Sequence, residues 1–240
     1  MTTTAELTTV PQLDKDLQQI EAMSAQYLQT ISNPDIGRLA KTLCTANNIQ
    51  IMRNLLTPKR MEIFMGLMNS PLGFRTDKKG KDSYAMEEVR EVLIAALLNG
   101  VFPYGNEFNI IASNLYVTKE GFERKVRETD GLTDLEVIAG VPRLYEGRTI
   151  VRMAARWRLH GVIQELSSID GKPGREFPIK VNQGMGDDGI IGKATRKLLK
   201  AVWVQIHGSE QSLLADGEIE EPAQIADKQG ELPLGKGKAS

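Results

Sequence analysis

The sequence predicts an α+β fold: a helical N-terminal half, a small antiparallel sheet, a basic C-terminal helix and a disordered acidic tail. Three observations carry this expectation. Apolar residues recur at helical spacing through the first hundred positions, beginning with Leu13, Leu17, Ile20, Tyr27 and Ile31. Residues 147–163, GRTIVRMAARWRLHGVI, alternate between two kinds of side chain, as a half-buried strand does when successive residues point to opposite faces. Near the end, Lys193, Arg196, Lys197 and Lys200 recur at i, i+3, i+4 and i+7, and from Ser209 onward Pro, Gly and acidic residues follow with no apolar periodicity.

Taken in order, Ile36, Leu39, Leu43, Met52 and Leu56 continue the helical pattern, and Cys44 falls among Leu39, Leu43 and Ala46 as a small core residue. Thr57 and Pro58 suit an N-cap and first helical position. PLGFRTDKKGKDS is a polar loop carrying Lys78, Lys79 and Lys81, after which Ser83 opens a helix that Gly100 stops. FNIIASNLYV is strand-like, and Thr118 caps a charged helix in which Glu123 and Arg127 stand at a favourable i,i+4 spacing. TDLEVIAGV and the arginine strand make an antiparallel pair joined through PRLYEG, and a further strand pair surrounds DGKPGREFPIKV, where Asp-Gly and Pro-Gly form turns. The last helix is capped by Asp187 or Asp188 and ends at Gly208.

The 240 residues are enough for one substantial core, so residues 1–208 are expected to form one domain, mainly helical over 1–100 and sheet plus helices over 101–208, with 209–240 as the tail. Net charge is -1, so only the distribution of charge is informative. Residues 119–200 hold 16 Lys and Arg against 12 Asp and Glu, whereas residues 209–240 hold 3 against 7. One cysteine excludes an intrachain disulfide, and with two histidines it makes a His/Cys zinc site untenable. There is no long apolar run or leader pattern, and the expected setting is the cytoplasm.

The even positions of the strand are Arg148, Ile150, Arg152, Ala154, Arg156, Arg158 and His160; the odd positions include Val151, Met153, Ala155 and Trp157. Side chains at i and i+2 stand about 6.6–6.8 Å apart, so the arginines form a line rather than a cluster. A line of guanidinium groups suits a regular polyanion, whose phosphates advance about 3.4 Å per nucleotide in B-form DNA. The competing reading is a solvated face paired with acids of a neighbouring strand, for which Asp134 and Glu136 are at hand. The last helix adds a second basic surface of Lys193, Arg196, Lys197 and Lys200, opposite Ile191, Ala194, Leu198, Ala201 and Val202. Phe102, Tyr104 and Tyr116 can serve as stacking platforms or as core.

Enzyme chemistry finds little support. GIIGKAT resembles the end of a phosphate-binding loop, but the first glycine that loop requires falls on Asp187. Asp187 and Asp188, with Glu176 and Lys180, are the only argument for a metal-dependent nuclease, and helix capping explains the aspartates better. No catalytic residue and no cofactor is expected; Mg2+ is possible but not required by the sequence.

The order of parts resembles phage single-strand annealing recombination proteins of the RecT and Red beta (Bet) type. EVLIAALLNGVFPYGNEFNIIASNLYVTKEGFERKVRE is similar to the segment of that family in which a helix leads into a strand pair and a turn opens another helix. MGDDGIIGKATRKLLKAVW resembles its closing stretch, an acidic turn before a basic helix, with Lys193 and Lys197 on the basic positions. The likeness spans roughly residues 50–207 and rests on residue classes. It implies binding of single-stranded DNA, assembly into rings or helical filaments, and pairing of complementary strands without ATP. The candidate DNA-binding residues are then Arg148, Arg152, Arg156, Arg158, Lys193, Arg196, Lys197 and Lys200. A metal-dependent nuclease and an oligomeric structural phage protein remain the alternatives. Expected partners are single-stranded DNA, further copies of the chain, and a phage exonuclease or host single-strand-binding protein. QGELPLG in the tail also resembles a sliding-clamp peptide, with Gln229, Leu232 and Leu234 as the contacts, although so loose a pattern arises readily by chance.

Overall fold

The computed structural model describes residues 10–78, 80, 83–182 and 184–208, and the fold is α+β. The tail, with Gln229, Leu232 and Leu234, lies outside the described residues, as do Lys79 and Lys81. Helices α1 (Val10–Ser32), α2 (Arg38–Leu55), α3 (Pro58–Met65) and α4 (Met86–Leu98) make up the first half, with the short strand β1 (Arg75–Thr76) between the last two. Ile20, Tyr27 and Ile31 of α1 meet Met52, Met61, Val89, Leu93 and Leu97 in one core. Cys44 packs against that core, but Leu39 and Leu43 do not: they are 73% and 62% exposed. The helix touches the core through Cys44, Ile49, Met52 and Leu55, a stripe rotated away from the one the sequence suggests. The helix expected to open at Ser83 starts at Met86, because Glu88 supplies the cap by accepting the Ala85 N–H at 3.1 Å.

A three-stranded sheet closes this core. β1, hidden in the polar loop, runs parallel to β2 (Phe108–Ile111), which forms a hairpin with β3 (Asn114–Val117). Phe108, Ile110 and Val117 face the helices, and Phe74 stacks on Phe108 with centroids 5.0 Å apart. The hairpin turns through Ala112 and Ser113, both left-handed (φ 49° and 62°) although neither is glycine. Their backbone N–H groups are held from outside: Ala112 donates to Asp77 Oδ2 and Ser113 to the Tyr84 hydroxyl, each at 2.9 Å.

Next comes α5 (Lys119–Arg127), capped by the Thr118 hydroxyl, which accepts the Gly121 N–H, and braced by a 3.0 Å Arg127–Glu123 ion pair. At Gly121 an added Cβ would lie 2.2 Å from the Glu107 carbonyl oxygen, so the close approach of α5 to β2 requires glycine.

The second sheet is built around one long strand. β6 (Arg148–Leu159) carries β4 (Leu132–Ala139) and β5 (Arg143–Tyr145) along one edge and β7 (Val162–Glu165) and β8 (Arg175–Ile179) along the other, all antiparallel to it. Segment PRLYEG is therefore partly strand rather than only a connection, because its turn is the two residues Glu146 and Gly147, both with positive φ. Helix α6 (Asp187–His207) lies across the inner face, where Ile190, Ala194, Leu198 and Val202 pack on Val151, Met153, Ala155 and Trp157. Neither aspartate is its N-cap. Gly186 takes that position, and Asp187 and Asp188 occupy the first turn, where carboxylates complement the helix dipole. Gly208 ends the helix with φ 85°.

Helices α5 and α6 meet through a polar knot. The Lys125 ammonium donates to the Asn99 carbonyl at 2.7 Å and lies 4.4 Å over the Trp203 ring. Trp203 in turn packs against His207, whose Nε2 is 3.2 Å from the Thr129 hydroxyl. Burial, aided by neighbouring Arg124, lowers Lys125 to about 8; burial, aided by Lys125, lowers His207 to about 4. Among the described residues no helix is long and apolar enough to cross a membrane.

Candidate nucleic-acid interface

The alternation in residues 148–159 is realised residue by residue. Val151, Met153, Ala155 and Trp157 are buried under α6, and this anchors the opposite row on the outer face. Cross-strand register places Glu136, Ile138, Arg143, Tyr145, Ile163, Glu165, Glu176 and Pro178 on that same outer face.

The four arginines of the row have different surroundings. Arg158 pairs with Asp134 at 3.3 Å and donates to the Gly161 carbonyl at 3.1 Å. Arg152 turns down onto the Asp170-Gly171 turn, where it donates to the Ile169 carbonyl at 3.1 Å. Its cross-strand neighbour Glu176 is occupied by Arg143, so that ion pair bridges over Ile150 from β8 to β5. Arg148 and Arg156 are exposed and their side chains form no hydrogen bond or ion pair among the described residues, although Glu136 and Glu165 flank Arg156 on both sides. The two stand eight positions apart along the strand, a span of about 26 Å. The row is thus a line with two open positions rather than four.

The acids expected nearby are where pairing would put them, but only one of the two is used. Asp134 reaches Arg158, whereas Glu136 stands opposite Arg156 without bonding it. The reason is a bulge: between Thr133↔Arg158 and Glu136↔Arg156, β4 spends two residues against the single Trp157 of β6, and Asp134 adopts φ 55°.

The α6 cations do not share this face. The helix lies against the inner side of the sheet, so its basic residues and the arginine row look in different directions. Nor do they form one surface among themselves. Lys193 and Lys197 reach the β8 end of the sheet, donating to the Lys180 and Pro178 carbonyls at 3.3 and 2.8 Å. Arg196 goes the other way: its Nε donates to the Val117 carbonyl at 2.6 Å and its guanidinium lies 3.9 Å over Tyr116, tying α6 to the first sheet. Lys200 is likewise partnered.

Of the proposed stacking residues, Tyr116 is buried beneath Arg196, and Phe102 lies under Arg124 and against Tyr104. The aromatic beside the arginine row is Tyr145, directly across from Arg148 and 56% exposed. In sequence PRLYEG has the look of a simple connection, which hides Tyr145; the two-residue Glu-Gly turn is the signal that would reveal it. Among the described residues no three His, Cys, Asp or Glu side chains gather as metal ligands, and Asp187 and Asp188 stand in the first turn of α6.

Comparison of the chain with protein-family models, with curated proteins and with solved structures gives no match.

Proposed function

We propose that the protein binds single-stranded DNA along the outer face of its second sheet and promotes annealing of complementary strands without ATP, acting as an oligomer. The observation that carries this reading is the row on β6: a line of arginines, anchored by a buried opposite side, with the Arg148 and Arg156 side chains open to a bound strand and Tyr145 exposed beside the first. Guanidinium groups hold phosphate through paired hydrogen bonds, and an aromatic ring accepts any base face. Neutralised phosphates lower the repulsion between two approaching strands, and a ring or filament would extend the row over many nucleotides. A phage exonuclease, a host single-strand-binding protein or a sliding clamp are the partners this role would call for.

A second reading has its own observation. Ile138 and Ile163 stand 62% and 50% exposed on the same face, among alternating acids and arginines, which is also a composition suited to protein contact in a structural oligomer. One experiment separates these readings from a nuclease. Complementary labelled oligonucleotides are mixed with the protein in magnesium without ATP, and duplex formation and strand length are followed. Faster pairing of intact strands is expected. Shortened strands would indicate a nuclease, and no binding would leave the structural oligomer.

A further inference from the structure

The bulge in β4 opens a pocket on the outer face, with a volume of about 220 Å³, lined by Asp134, Glu136, Arg156, Trp157, Arg158 and Ile163. This is less than the roughly 300–1,000 Å³ that encloses a drug-sized ligand, and suits one flat ring rather than a length of chain. Three features mark it as built. The bulge leaves Asp134 paired with Arg158 and Glu136 opposite Arg156, and holding Asp134 at φ 55° without glycine is a conformational cost that the surrounding sheet sustains. Arg158 is fixed against Asp134 and the Gly161 carbonyl, so it forms a wall. The side chains of Arg156 and Glu136, facing each other in register, each form no hydrogen bond or ion pair among the described residues. The pocket therefore offers an unused double donor beside an unused double acceptor, with Ile163 as an apolar flank.

A phosphate fits this poorly, because Glu136 and Asp134 repel it. A carboxylate only accepts hydrogen bonds and a guanidinium only donates them. The matching ligand is a flat edge that has an amine next to a ring acceptor. We propose that the pocket takes an unstacked nucleobase of the bound strand, selecting bases with an exocyclic amine, cytosine foremost, over thymine; this rests on the single-strand reading above. In cytosine the N4 amine would donate to Glu136, while N3 and O2 accept from Arg156. Thymine presents two carbonyl oxygens around a single N–H, so one oxygen always meets the carboxylate. Since the same edge pairs with guanine, a complementary strand would displace the pocket as it anneals.

The test is the ratio of affinities for dC and dT oligonucleotides of equal length, measured by fluorescence anisotropy at one salt concentration and mildly alkaline pH. The wild-type protein should prefer dC by about fivefold or more, the lower end of the discrimination given by one good bidentate base contact. Glu136→Gln should bring that ratio close to one, because the amide N–H can donate to thymine O4 where the carboxylate could not. Glu165→Gln flanks Arg156 from the other strand, outside the pocket lining, and should raise affinity for both strands while keeping the wild-type ratio. A wild-type ratio near one overturns the pocket and leaves strand binding intact. A ratio unchanged by Glu136→Gln overturns it as well, by reducing Glu136 to a charge that repels phosphate. If neither oligonucleotide binds, the single-strand reading falls and takes the pocket with it.

Discussion

Trp157 and Arg156 are adjacent in β6 and face opposite environments: the indole is 1% exposed beneath α6, the guanidinium stands in solvent. Trp157→Ala removes the largest buried side chain of the second core and should destabilise the fold by about 3–5 kcal/mol, read by denaturant unfolding. Arg156→Ala should leave stability near wild type. His207 offers a separate check at the same scale. Its folded value is depressed to about 4, below the 6.5 of an unfolded histidine, chiefly by burial and then by Lys125. Between these values the unfolded chain binds more protons, so the contribution is complete above pH 6.5 and is lost as pH falls through 4. Lys125, depressed to about 8, acts with the same sign at higher pH, stability rising from about 8 toward 10.5. Thermal unfolding of wild type should therefore shift downward between pH 6.5 and 4, and His207→Gln, compared with its own value at pH 7, should show a flatter profile.

At the scale of elements, the β2–β3 hairpin stores conformational cost. Ala112 at φ 49° has none of glycine's freedom, and the turn persists because Asp77 and Tyr84 grip its two N–H groups. Ala112→Gly keeps both grips and removes the clash of Cβ in a left-handed residue, so it should stabilise by about 0.5–1 kcal/mol in denaturant unfolding, the left-handed cost less the added freedom of the unfolded chain. Elements with a strong period or a cap were legible in the sequence: the helices, Thr118 at the start of α5, the two faces of β6. Those defined by a distant partner were not. β1 is two residues that become a strand only by pairing with β2, and β5 exists because β6 runs past it. The candidate site divides the same way. That arginines line one side of β6 follows from alternation, but which of them are occupied depends on the Asp134 bulge, the Asp170-Gly171 turn and the Arg143–Glu176 bridge, all fixed by register with other strands. Helical spacing put Lys193, Arg196, Lys197 and Lys200 along one side of α6; it could not show that the side is divided between β8 and β3.

For the molecule as a whole, α6 works as a keystone: Leu199 joins the helical core, Ile190, Ala194, Leu198 and Val202 join the sheet core, and Arg196 reaches β3. Its cations are committed largely to that joint, while the outer sheet face is left to the arginine row. The central claim is that this face holds the strand, and it is tested most directly by the salt dependence of single-strand binding. Observed affinity for a labelled oligonucleotide is measured across a salt series for wild type, for Arg148→Ala with Arg156→Ala, and for Lys193→Ala with Lys197→Ala. Each lost phosphate contact lowers the slope by about 0.7, so the arginine pair, in which Arg148 holds phosphate and Arg156 faces a base, should lower it by about 0.7 while the lysine pair leaves it nearly unchanged. An unchanged slope in the arginine variant, or a loss confined to the lysine variant, would contradict the account and move the strand to the other side of the sheet.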